Sequence, residues 1–116
     1  MQIISSDLLR GHIDAFVLAA LMKGEKYGAE IKNCIAKKSK NLYIPNEQSL
    51  YSAYHRLERD GFIKGKWGDE TVGVKRKYYT ITEDGVRYFR SLKGEWQNAK
   101  ILLDILMNEE LWNIWK

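Results

Sequence analysis

Two interleaved seven-residue repeats run through the last third of the chain. Phe89, Trp96 and Leu103 are spaced by seven, and Leu92, Ala99 and Leu106 repeat the interval three residues later. That is an a/d seam over nearly three heptads, opened by Thr82 as an N-cap with Glu83 and Asp84 in the first turn. Average helices have about 11–12 residues, so a helix of about 30 residues exceeds what a 116-residue chain needs for its own core. The spacing therefore predicts a dimer interface at Phe89, Leu92, Trp96, Ala99, Leu103 and Leu106. The competing account folds this helix back onto its own domain. Ile101, Ile105, Leu111, Trp112, Ile114 and Trp115 widen the apolar surface and suggest that the tail is buried too, against the first helix of a partner.

Upstream, three helices and a hairpin are expected. Ser5-Ser6-Asp7 starts a helix with Leu9, Ile13, Phe16, Val17, Ala20 and Leu21 at helical spacing, closed by Lys23-Gly24. Leu8, Gly11, Ala15 and Leu18 form a second stripe, either for a partner or for wider burial within one domain. A second helix is expected over Tyr27–Lys38 and a third over Glu47–Asp60, with Asn46 as N-cap. In the third, Leu50, Ala53, Tyr54 and Leu57 face inward. Gln48, Ser49, Ser52, His55, Arg56 and Arg59 share the opposite face, with Tyr51 at its edge. After Gly61 the period changes: Phe62–Trp67 and Lys75–Ile81 read as strands around a Gly68–Gly73 loop. Two short helices, a glycine stop and a basic hairpin outline a winged helix-turn-helix. The expected fold is mainly α with a small β-hairpin: a winged helix-turn-helix over residues 1–81 and a dimerisation helix over 82–116, in one compact unit.

Charge follows this division. Residues 1–31 carry a net −1, residues 32–60 and 61–80 carry +3 each, and residues 81–116 carry −1. A basic middle attracts polyanions through counterion release, which points to nucleic acid; the plainer account is that these cations solvate helices. No apolar run approaches the roughly 20 residues of a membrane span, no leader pattern opens the chain, and one cysteine, Cys34, makes no disulfide framework. A cytoplasmic setting is expected. His12 and His55 are the only histidines and neither has metal-ligand spacing, so no metal, cofactor or enzymatic centre is expected. Asp69-Glu70, at a hairpin tip, has nothing to exclude water or hold a substrate.

Several ordered blocks resemble the PadR-like family of transcriptional regulators. They are Leu9-Arg10-Gly11-His12 with Leu18, Tyr27-Gly28 with Glu30-Ile31, Ser49-Leu50-Tyr51 with Arg56-Leu57-Glu58, and Gly61-Phe62-Ile63. Trp67-Gly68, Gly73 and Lys75-Arg76-Lys77-Tyr78-Tyr79 with Thr82 and Gly85 complete the set, over roughly residues 8–86. Ser49 stands where the family often has Thr, Ser52 where it often has Pro, and Val74 departs from its wing pattern. The resemblance implies a small dimeric winged-helix repressor, of a kind some members of which sense flat aromatic compounds.

On this reading the third helix enters the major groove of double-stranded DNA. Gln48 and Ser52 reach base edges, Ser49 and Tyr51 bond phosphates, and His55, Arg56 and Arg59 contact bases or backbone. Lys75, Arg76 and Lys77 flank a minor groove or its phosphates. In the plainer account Arg56 and Arg59 pair with Glu58 or Asp60, and Tyr51 and Tyr54 belong to the core. A dimer sets two reading helices about 34–36 Å apart and predicts a pseudo-palindromic operator. Leu8, Gly11, Ala15, Phe89 and Trp96 are candidates for a flat slot that takes a planar effector at the dimer axis. The alternative for Trp96 is an interface anchor. Two rival classes remain: a winged-helix protein-interaction module without sequence-specific DNA binding, and a ligand carrier without DNA contact.

Overall fold

The fold was read from a computed structural model, which describes residues 6–68 and 75–112. Helix α1 (Ser6–Leu9) passes through a 3₁₀ turn (Arg10–His12) into α2 (Ile13–Leu21). A two-residue strand β1 (Lys26–Tyr27), then α3 (Gly28–Lys38) and α4 (Glu47–Arg59), lead to strands β2 (Ile63–Trp67) and β3 (Lys77–Ile81). Helix α5 (Glu83–Leu106) and a turn α6 (Glu109–Trp112) end the described residues.

One core joins these elements. Val17, Leu18 and Leu21 of α2, Ile31 of α3, and Leu50, Ala53 and Leu57 of α4 are buried, with Ile63 and Tyr79 closing the sheet side. Asn46 caps α4 as expected: its Oδ1 accepts from the backbone N–H of Gln48 at 2.8 Å and of Ser49 at 3.2 Å. Gly61, at φ +79°, turns the chain out of α4 in a conformation that suits glycine.

The sheet has three strands, in the order β1-β3-β2, all antiparallel. Ile63 pairs with Ile81 and Trp67 with Lys77, so the expected hairpin is present. The third strand is an addition: Tyr27, which opens α3 as its N-cap, also pairs with Tyr78. Two residues are too short a stretch to show a period. Residues 69–74, which hold Asp69-Glu70, Gly73 and Val74, lie outside the described residues, as do Ser5, Ile114 and Trp115.

Two expected helices are interrupted. The first is broken at Arg10–His12, where Gly11 supplies no side chain to support an α-helical turn. Its second stripe also divides: Leu18 is fully buried in the core, whereas Leu8 is 64% exposed. The long C-terminal helix ends at Leu106. Asn108 restarts the chain as α6 by accepting the N–H of Glu110 at 2.9 Å, and Trp112 Nε1 donates to the Leu106 carbonyl at 2.6 Å.

The start of α5 is locked onto the end of α4. Thr82 Oγ1 donates to the Gly61 carbonyl at 2.7 Å and accepts from the Gly85 N–H at 3.0 Å. Gly85 lies so near the Phe62 backbone that a Cβ there would collide with its carbonyl oxygen. The rings of Phe62 and Tyr88 stack 4.2 Å apart. The direction of α5 is thus tied to that of α4.

A candidate nucleic-acid interface

Helix α4 has one buried and one exposed side. Opposite its core residues stand Gln48, Ser49, Tyr51, Ser52, His55 and Arg59, all exposed. The face is not a loose fringe: the Tyr51 and His55 rings stack with centroids 5.5 Å apart. Arg59 lies against Asp60 at 3.0 Å, and the guanidinium holds that carboxyl below its ordinary range.

Arg56 is set apart from this group. It is half-exposed and bonds Asp14 of α2, with Nη2 to Oδ1 at 2.7 Å and Nε to Oδ2 at 3.3 Å. This two-donor fork pushes the guanidinium pKa further up. The pairing expected for Arg56, with Glu58 or Asp60, is replaced by one across the core, because Asp14 stands one helix away on the facing side. Tyr51 lies on the surface, while Tyr54 is in the core, where burial raises the pKa of its hydroxyl far above the ordinary value.

The wing's three cations also differ. Lys75 and Arg76 are exposed, and the Arg76 guanidinium covers the Tyr27 ring at 4.7 Å. Lys77 turns inward to Glu58 Oε1 at 2.9 Å, and this contact raises its pKa. Glu58 Oε2 accepts the Gly65 N–H at 3.2 Å, so Glu58 joins α4 to both wing strands. Between α4, the start of α3 and the wing lies a cavity of about 360 Å³, lined in part by Lys32, Tyr51, Trp67, Lys75 and Arg76. Trp67 is 60% exposed there, and sequence reasoning gave neither it nor Lys32 a place at this face. Their signal was chemical: an aromatic and a cation within the basic middle of the sequence.

Along α5, Phe89 and Leu92 pack against the chain's own core. The uncovered seam therefore begins at Trp96, with Trp96, Leu103 and Leu106 each close to half exposed and Ala99 half-buried. Of the other residues expected to form a slot with Trp96, Leu8 and Gly11 are exposed and Ala15 is half-buried. The contact the sequence reading missed is His12, whose ring meets Trp96 edge-on at 5.6 Å. His12 ends the 3₁₀ turn just before α2, and the sequence offers it only as part of the Leu9-Arg10-Gly11-His12 block and as a histidine without metal-ligand spacing. Among the described residues no group of side chains is arranged to hold a metal ion, and no helix is long and apolar enough to cross a membrane.

Comparison with known proteins places this architecture. The chain is 36% identical over 104 residues to an uncharacterised protein of Lysinibacillus sphaericus, covering 90% of this chain and 95% of that one. A transcriptional regulator from Clostridium thermocellum is 40% identical and superposes with a TM-score of 0.84, over 91% of this chain and all of that one. A PadR family transcription regulator from Clostridium difficile is 28% identical, with a TM-score of 0.71, over 84% of this chain and all of that one. Residues 17–91 match the transcriptional regulator PadR-like family, which spans the α2–α4 core, the wing and the start of α5. The winged helix, its exposed α4 face and this match agree, and the chain belongs to the PadR-like family of DNA-binding transcriptional regulators, not to an enzyme family.

Proposed function

We propose that the chain is a dimeric repressor that reads a pseudo-palindromic operator with α4 and responds to a planar aromatic effector at the dimer axis. The carrying observation is the two-sidedness of α4: Leu50, Ala53, Tyr54 and Leu57 fix it to the core while Gln48, Ser49, Ser52, His55 and Arg59 face solvent. In this reading Gln48 and Ser52 contact base edges, and Ser49 and Tyr51 hold phosphates. His55 and Arg59 extend the contact, and Lys75 and Arg76 bind the flanking backbone. Arg56 and Lys77 act mainly as supports, since their charges are engaged by Asp14 and Glu58. Residues 1–81 do the reading and residues 82–116 the pairing.

Dimerisation is supported by the uncovered apolar positions Trp96, Leu103 and Leu106 at heptad spacing. Two copies joined there carry two reading helices, and repression follows from occupying promoter DNA. A planar ligand between the two Trp96 rings, with Gly11 and Ala15 leaving space, would alter the angle between copies. The lock between α5 and α4 at Thr82 and Gly85 would pass that change to the reading helices.

The test is DNA binding by fluorescence anisotropy across a salt series, using promoter fragments from the chain's own genome. Tight binding to some fragments, with a steep loss of affinity as salt rises, supports the reading. Lys75→Ala should flatten the salt slope by about 1 on every fragment, while Gln48→Ala should weaken the preferred fragment by about 1–3 kcal/mol and level the preference. A chain that binds no fragment above background would instead favour an interaction module built on the same fold.

A further inference from the structure

The cavity between α4, the start of α3 and the wing is more than a cationic surface. Among the described residues its lining carries four cations, Lys32, Lys75, Arg76 and Lys77, against one carboxylate, Glu47. Lys77 is turned to Glu58, and Lys32 lies 3.4 Å from Glu47, which stays exposed at the rim. The positive end of α3 opens into the same space, because Gly28 and Ala29, the first residues of that helix, line it. This setting favours an anion.

Much of the remaining lining is aromatic. Tyr27, Tyr51 and Trp67 come from three separate elements, β1, α4 and β2, and border this one space. Tyr51 and Trp67 are 64% and 60% exposed. The backbone of double-stranded DNA engages the cations and the Tyr51 hydroxyl but leaves the rings unused, since a closed duplex turns its phosphates outward and keeps its base faces stacked inside. Cations beside exposed rings in a concavity match a ligand that carries an anion and an aromatic face together.

We infer that this cavity binds a free nucleotide, with its phosphate at Lys32, Lys75 and the start of α3 and its base against Trp67 and Tyr51. At about 360 Å³ the space falls at the lower end of small-molecule pockets, which run from about 300 to 1,000 Å³, and so takes a single nucleotide unit. Stacking on an aromatic ring is open to every base, so the ligand class is defined by base plus phosphate and not by one base. Lys75 and Tyr51 are also assigned to the operator backbone above, so nucleotide and DNA exclude each other. That exclusion rests on the DNA reading; the nucleotide site does not. Trp96 is not among the lining residues, so this site is distinct from the slot proposed at the dimer axis. It makes the hold on DNA responsive to a nucleotide with no change in the separation of two copies.

The test is isothermal titration of the full-length native chain, free of DNA and at low salt, with adenosine 5′-monophosphate. Binding is expected, with adenosine and ribose 5-phosphate each weaker by about tenfold, since each keeps only half of the recognition. Trp67→Ala should weaken the nucleotide about tenfold and Trp67→Phe much less, and Lys75→Ala should weaken it about fivefold. Both positions are exposed, and circular dichroism checks that the variants fold. In fluorescence anisotropy the nucleotide should displace the preferred promoter fragment. A folded native chain that takes up no adenosine, guanosine, cytidine or uridine monophosphate overturns the inference and leaves the DNA reading standing. Equal binding of ribose 5-phosphate overturns it too, because the site would then be an anion patch only. Unchanged affinity in both Trp67→Ala and Lys75→Ala places the nucleotide elsewhere and overturns the site. Nucleotide binding without displacement of DNA overturns the mutual exclusion. A chain that binds the nucleotide in this way but no promoter fragment overturns the DNA reading and supports the cavity.

Discussion

Arg56 of α4 grips Asp14 of α2 through two donors, at 2.7 and 3.3 Å, and so ties the two helices together at the edge of the core. The pair is half-exposed, so its contribution to stability is modest, about 0.5–1 kcal/mol. Arg56→Ala and Asp14→Ala should each lower stability to urea by that order, and the double variant should fall short of their sum. Arg56→Lys should not rescue, because an ammonium cannot reproduce the fork. Additive losses in the double-mutant cycle would contradict the coupling.

Gly85→Ala should destabilise the chain by about 1–3 kcal/mol, since the added methyl meets the Phe62 carbonyl oxygen and backbone must move to admit it. Gly94→Ala is the control: nothing lies within 4 Å of the position its Cβ would take. That substitution should be neutral or slightly stabilising on helix propensity. Thermal unfolding of the two variants separates the close approach from a general cost of filling helical glycines.

Stability should fall as pH rises above about 10, the ordinary value for a tyrosine hydroxyl. Burial raises the pKa of Tyr54, and Glu58 raises that of Lys77, so in each case the folded chain keeps a proton that the unfolded chain has released. When the folded state binds more protons, stability declines with pH. The urea midpoint should drop over that range, and Tyr54→Phe should make the drop shallower. A decline of equal slope in Tyr54→Phe would remove Tyr54 from the account.

Planar aromatic cations should quench the tryptophan fluorescence of the chain, and Trp96→Phe should abolish most of the effect while Trp67→Phe preserves it. His12→Ala should weaken the response, since its ring supports Trp96 edge-on. A panel of planar compounds without effect on fluorescence would leave Trp96 as an interface anchor.

The helices and the wing were legible because their signals are local. Asn46, Gly61 and Thr82 mark element ends by their own chemistry, and the Leu50–Leu57 spacing marks the buried face of α4. What escaped the sequence depends on pairs far apart along the chain. Nothing near Arg56 announces Asp14, 42 residues away, as its partner, and Lys77 finds Glu58 only after the hairpin folds. Strand β1 is two residues long and acquires its identity from Tyr78 and Tyr79 across the sheet. The seam was read by period, which cannot tell that Phe89 and Leu92 are occupied by the chain's own core.

The most direct measurement is the mass of the native chain by sedimentation equilibrium at micromolar concentration. The account predicts twice the 13.6 kDa of one chain, reduced toward a single chain by Leu103→Glu in the exposed part of the seam. A native chain that sediments at 13.6 kDa would contradict it, because two reading helices could not then be held at a fixed separation.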